Sequence, residues 1–170
     1  MNVLSLDCAT HTGYASYIDG HIETGVQDFS KRRGESNGIL FLRFRGWLKA
    51  FKDADIKVIS YELSHMRGGA ATEISVNLTG RVQEFAASIG AEYLSVHTGT
   101  LKKFITGSGK GTKEQIMDWF EKTTGRKPIS DDESDALACL FYTLRDLGID
   151  PPIMNNRLTP KPRNQGDLFS

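Results

Sequence analysis

The chain opens on strand-like patterns and passes to helical ones. Val3 to Leu6 is apolar and reads as a buried strand running directly into Asp7. Gly13 to Ile18 alternates, Asp19-Gly20 is a strong hairpin signal, and His21 to Phe29 reads as a third strand, which makes the start an antiparallel meander. Residues 30 to 37 are polar and predict a loop. Leu40, Phe44, Trp47, Leu48 and Phe51 recur at helical spacing within Ile39 to Phe51. Ile56 to Leu63 returns to strand composition and carries a second acid, Glu62, beside Val58, Ile59 and Tyr61. A glycine-containing loop, Ser64 to Gly69, leads to a long helix from Ala71 to Ile89. One stripe of that helix is Ile74, Leu78, Val82, Phe85 and Ile89; Val76 and Ala86 lie partly on another. Ala91 to Val96 predicts a strand, residues 98 to 111 a Gly- and Lys-rich turn region, Lys113 to Phe120 a short helix and Ser130 to Leu147 a final helix. Strands first, then strands alternating with helices, predict an α/β fold with a mixed sheet flanked by helices.

Composition bounds this picture. A chain of 170 residues, 39% hydrophobic and 25% charged, fits one domain with a real core. It has no apolar run of bilayer length and no charged-then-apolar start, so an intracellular, cytoplasmic protein is expected. Cys8 and Cys139 fall in predicted core elements without metal-ligand spacing and read as reduced, buried thiols. The net charge is zero, but its distribution is uneven. Residues 1 to 30 hold no Lys or Arg, whereas Lys31, Arg32, Arg33, Arg43, Arg45, Lys49 and Lys52 follow against Glu35 alone. Lys102, Lys103, Lys110 and Lys113 form a second basic group. Such asymmetry can hide a basic face behind a neutral total, although charge runs are commonly solvated faces.

The acids change the picture further. Asp7 at a strand end either opens a turn or meets a metal ion, a cation or a wet cleft, because an uncompensated buried charge is costly. Ser130-Asp131-Asp132-Glu133 fits a capping box with Ser130 as cap, and acids there complement the helix dipole with no catalytic purpose. Asp132 and Asp135 nevertheless share a helix face, and Asp135 runs directly into Ala136-Leu137-Ala138-Cys139-Leu140-Phe141, a segment made to be buried. Separate elements thus bring Asp7, Glu62, Asp132 and Asp135 close to apolar structure. Four carboxylates converge only if cations neutralise them, and hard divalent ions with oxygen ligands are the natural choice. Two such ions about 4 Å apart can activate a water and stabilise the leaving oxygen of a phosphodiester, which is nuclease chemistry.

These residues resemble a known family. The Asp7-x-x-x-x-Thr12-Gly13-Tyr14-Ala15 start, Glu62 at a strand end, and Asp132-x-x-Asp135-Ala136-Leu137-Ala138 on the final helix are similar to the RuvC-type Holliday junction resolvases of the ribonuclease H-like superfamily. The segment Leu101 to Ile116 resembles that family's basic DNA-contacting stretch, and the resemblance spans residues 1 to about 147. It implies a ribonuclease H-like five-stranded mixed sheet, with Asp7, Glu62, Asp132 and Asp135 as catalytic acids binding two Mg²⁺ ions; whether Mn²⁺ replaces Mg²⁺ is left open by the sequence. Lys102 and Lys113 would contact phosphates. Lys103 and Lys110 of the same stretch, with His65 and Arg67 of the loop after Glu62, complete the expected DNA-contacting set. The resemblance also implies a homodimer through the helix after Glu62, cutting paired strands of a four-way junction in the cytoplasm of a bacterium or a phage-infected cell. The chain departs from the family in two places. Cys8-Ala9 stands where Pro-Gly is usual, in a turn one residue shorter, and His65 stands where the resolvases place a base-stacking aromatic, so their cleavage-sequence preference is not carried over.

Other signals are weaker. Gly107 to Thr112 imitates part of a P-loop, but Phe104 and Gly111 occupy positions that require Gly and Ser or Thr. His11, His21, His65 and His97 lack zinc spacing. The expected domain is 1 to 149, followed by a basic, poorly ordered tail over 150 to 170. That tail ends Gln165-Gly166-Asp167-Leu168-Phe169, similar to the peptide by which bacterial repair proteins bind the polymerase sliding clamp, with Gln165, Leu168 and Phe169 as contacts. Two rival functions stand beside a junction resolvase. One is a broader branched-DNA or RNA-DNA hybrid nuclease of the same fold, and the other is a non-catalytic DNA-binding recombination protein.

Overall fold

The computed structural model describes residues 1–63 and 68–152. Three antiparallel strands begin it: β1 (Asn2–Asp7), β2 (His11–Ile18) and β3 (His21–Asp28). The β2–β3 hairpin turns at Asp19 and Gly20 with φ of 51° and 82°, the doubly left-handed turn that suits the right-handed twist of its strands. After α1 (Asn37–Leu48) and a 3₁₀ turn (Lys49–Phe51) comes β4 (Ile56–Leu63), then α2 (Ala70–Ile89) and β5 (Glu92–His97). Three helices finish the chain: α3 (Thr98–Thr106), α4 (Lys113–Thr124) and α5 (Asp131–Asp146). The sheet has five strands in the order β3-β2-β1-β4-β5, with β1–β4 and β4–β5 parallel, so the expected mixed sheet is present.

Strand alternation divides the core between two faces. Leu4, Leu6, Ile59 and Tyr61 pack with Phe44, Trp47, Leu78 and Val82 of α1 and α2. Val3, Ala15 and Val58 pack on the other face with Phe120, Leu137, Leu140 and Leu144 of α4 and α5. A period of two therefore sends Ser5 and Asp7 of β1, and Ser60 and Glu62 of β4, to the α5 side. Leu78, Val82 and Phe85 of the first α2 stripe are core; of the second, Ala86 is buried and Val76 is 47% exposed.

Two local expectations need correction. Thr98–Thr106 is a helix within the segment read as turn, because Leu101 is buried and Phe104 stacks edge-on against Tyr142 of α5, 5.6 Å between centroids. The glycines that argued for a turn act at its end, where Gly107 takes φ 79°. The box predicted at Ser130 does not form either. Ser130 makes no side-chain cap, and its hydroxyl donates to Asp132 Oδ2 at 3.2 Å. Glu133 is instead fully buried, accepting from Arg126, Thr24 and the Ile129 N–H. The capping box belongs to α4, between Thr112 and Gln115.

Candidate active site

Register assembles the site. Ser5 pairs with Ser60 and Leu6 with Tyr61, so one further step along the parallel ladder sets Asp7 beside Glu62. Beneath them the Ser5 and Ser60 hydroxyls lie 2.5 Å apart. On α5, Asp135, Cys139 and Thr143 follow at intervals of four and share one face. Thr143 donates to Ser60 at 2.8 Å and the Cys139 thiol lies 3.5 Å from the same oxygen, so that face lies along β4. This contact carries Asp135 to the strand ends.

The four carboxylates divide three and one. Asp7, Glu62 and Asp135 each offer an oxygen within 4.8 Å of the others. Asp132, one turn earlier on α5, falls outside that group and stands close enough for its charge to disfavour ionisation of all three. Glu62 is only 6% exposed, and its Oε2 has no hydrogen-bond partner among the described residues. Its Oε1 accepts from the Thr98 hydroxyl at 2.5 Å.

Electrostatics reflect the crowding. Burial, then the charges of Glu62 and Asp135, push the Asp7 carboxyl well above the usual carboxylate range. Burial and the charges of Glu62 and Asp131 raise Asp135 to about 7. Glu62 is raised by burial, against the Thr98 hydrogen bond and the attraction of Lys102 and Lys113. Asp132 is raised by burial and by Asp131. Among the described residues no Lys, Arg or His forms an ion pair with Asp7, Glu62 or Asp135. An all-oxygen donor set, excess negative charge and an orphaned buried oxygen fit a hard divalent cation.

Of the basic residues, Lys102 and Lys113 stand close enough to Glu62 for their charges to favour its ionisation. Lys102 and Lys103 lie on α3, Lys110 is exposed in the loop after it, and Lys113 opens α4. Lys113 is hydrogen-bonded to Asp131, which holds Asp131 below and Lys113 above their ordinary pKa values. The reading of the chain missed both Thr98 and Asp131. Asp131 was visible as an acid beside the predicted cap, while Thr98 gave no local signal. Gly107 to Thr112 joins two helices, not a strand and a helix, so the P-loop context is absent. His65, Arg67, Gln165, Leu168 and Phe169 lie outside the described residues.

No protein-family model and no curated protein matches the chain. Solved structures do. RuvC of Thermus thermophilus superimposes with a TM-score of 0.69 at 18% identity, over 89% of this chain and 99% of that one. T. thermophilus RuvC in complex with a Holliday junction substrate superimposes with a TM-score of 0.71 at 18% identity, over 86% and 96%. The likeness covers most of this chain and nearly all of the other. This chain has the RuvC-type, ribonuclease H-like fold.

Proposed function

We propose that this protein is a Mg²⁺-dependent, structure-selective DNA endonuclease that resolves four-way junctions. The observation that supports this most is the convergence of Asp7, Glu62 and Asp135, with the buried Oε2 of Glu62 lacking a hydrogen-bond partner among the described residues, on a RuvC-type fold. Asp7, Glu62 and Asp135 would hold the cations, with Asp132 adding charge from one turn away. The chemistry such ions supply when bound is activation of a water and stabilisation of the leaving oxygen of a phosphodiester; Mn²⁺ would serve as Mg²⁺ does.

The rest falls to the chain itself. Lys102, Lys103 and Lys110 hold the DNA backbone by charge, which fixes register without reading sequence. Lys113 exchanges Asp131 for a phosphate, an exchange that costs little because exposed ion pairs contribute about 0–1 kcal/mol. His65 and Arg67 belong to the same DNA-contacting set. A homodimer through α2 places two sites on two strands, with Val76 in the contact. Residues 1 to 149 form the nuclease domain, and 150 to 170 a basic tail whose Gln165, Leu168 and Phe169 bind a sliding clamp. A peptide of residues 160 to 170 with no clamp affinity in calorimetry ends that last proposal.

The deciding experiment incubates labelled four-way junction, matched duplex, flap and RNA-DNA hybrid with wild type and D7N, with and without Mg²⁺. Paired symmetric nicks in the junction alone, lost in D7N with binding kept, are the expected result. Cutting of flaps as well identifies a broader branched-DNA nuclease. Hybrid cleavage without junction cleavage identifies a hybrid nuclease, and binding without any cutting identifies a binding protein.

A further inference from the structure

Glu62 is held from the strand next to it. In the parallel β4–β5 ladder Glu62 pairs with Val96 and Leu63 with His97, so Thr98 is the first residue past the paired strands and the first of α3. Its hydroxyl donates to Glu62 Oε1 at 2.5 Å and lies 3.5 Å from the Leu63 carbonyl oxygen. A hydroxyl has one proton to give, and the shorter contact claims it for the carboxylate. The other oxygen of the same carboxylate is the buried Oε2, which has no partner among the described residues.

This division of labour within one carboxylate is what a preorganised ligand needs. A glutamate carboxyl turns freely about its last torsion, which has broad, roughly two-fold wells. Thr98 removes that freedom by engaging one oxygen and leaving the other for a cation. Ser5 and Ser60 beneath the site engage each other and the Thr143 hydroxyl. Asp132 takes its hydroxyl contact from Ser130, which immediately precedes its own helix. Thr98 therefore ties a site carboxylate to a different segment, the helix that carries Lys102 and Lys103.

We propose that Thr98 is a positioning residue for the cation site, holding one oxygen of the Glu62 carboxylate so that the other is left for the cation held with Asp7 and Asp135. The proposal rests on the metal reading given above. Groups that hold a metal ligand from behind typically change metal affinity 10–100-fold when removed.

The test is calorimetric titration of Mn²⁺ into the full-length, DNA-free protein, with thermal melts of the same samples in and out of Mn²⁺. Thr98→Val keeps the shape and loses the hydroxyl, Thr98→Ala loses both, and Thr98→Ser keeps the hydroxyl. The expected result is a Kd raised by about 10–100-fold in T98V and T98A and restored in T98S. The Mn²⁺-induced rise in Tm shrinks in parallel, since a ligand stabilises the folded state according to its concentration over Kd. A threonine that only supported the fold would lower the metal-free Tm and leave Kd unchanged. That outcome in whichever of T98V and T98A folds, or a T98S as weak as they are, overturns the proposal alone. Wild-type protein that takes up no Mn²⁺ overturns the metal reading and this proposal with it.

Discussion

Gly13 of β2 and the carbonyl oxygen of Asp132 approach so closely that a Cβ on Gly13 would lie 1.9 Å from that oxygen. The same atom would stand 2.3 Å from the Asp132 carbonyl carbon and 2.8 Å from the Glu133 nitrogen, so relief requires the main chain of α5 to move. Gly13 is also the ladder partner of Asp7. One missing side chain thus lets the first turn of α5 settle onto the strand pair that carries the site.

Gly13→Ala is therefore expected to displace the start of α5 from the sheet. Overpacking of this kind costs roughly 1–3 kcal/mol, visible as a lowered urea midpoint. Cleavage should fall by at least about tenfold, because a displacement near 1 Å in a catalytic group can cost two orders of magnitude. If the lysines of α3 and the loop after it hold the DNA as proposed, junction affinity should change little. Full cleavage by a destabilised G13A protein would refute this account of how the acids are placed.

Salt dependence tests the lysines. Each phosphate contact contributes close to one unit to the slope of log affinity against log salt on B-DNA. Lys102→Ala and Lys110→Ala should each lower that slope by about one and weaken junction binding regardless of sequence. Asp131→Asn should act in the opposite direction. It releases Lys113 from its present partner and removes one negative charge from the approach. Filter binding at several salt concentrations reads both effects, and D131N binding no tighter than wild type would place Lys113 away from the backbone.

The raised carboxylates give the metal-free protein an unusual pH dependence. Asp135 rises from an ordinary 3.8 to about 7, so between those values the folded chain keeps a proton that the unfolded chain releases. Stability therefore falls as pH rises through that window and is lowest above it; the upward shifts of Asp7 and Glu62 act in the same sense. Asp28 and Asp131, held low by Ser30 and Lys113, work the other way and lose their contribution only as pH drops below about 4. Melts in EDTA should show a Tm several degrees higher at pH 5.5 than at pH 8, given roughly 2–4 °C per kcal/mol for a chain of this size. Mg²⁺ at pH 8 should restore the difference, and Asp135→Asn should flatten the metal-free profile. A metal-free Tm that rises from pH 5.5 to pH 8 would contradict the crowding of the three acids.

The outline of the fold was legible because burial on strands and helices leaves periodic traces. The Val3 to Leu6 run, the Asp19-Gly20 turn and the α1 and α2 stripes all mark elements that the structure contains. Asp7, Glu62 and Asp135 were visible as acids set against apolar neighbours. What stayed hidden depends on partners distant along the chain. Glu133 reads as a capping residue until Thr24, 109 positions away, and Arg126 draw it into the interior. The helix over Thr98–Thr106 was obscured by its glycines and lysines, and the burial of Leu101 with the contact of Phe104 to Tyr142 reveals its apolar side. Thr98 could not be singled out at all, since its contact with Glu62 is set by the β4–β5 register.

Two residues of α2 separate assembly from folding. Leu78 is fully buried in the α1–α2 side of the core, whereas Val76 is 47% exposed on the same helix. Leu78→Asp would bury an uncompensated charge and should unfold the chain whatever its oligomeric state. Val76→Asp leaves the core untouched and should leave the monomer's circular dichroism and melting cooperativity intact. If the dimer forms through α2, the V76D protein sediments at half the wild-type mass, and its junction cleavage changes from paired to single nicks because two sites no longer act on one substrate. A wild-type protein already sedimenting as a monomer of 18.9 kDa, or a V76D protein that remains dimeric, would move the subunit contact off this face.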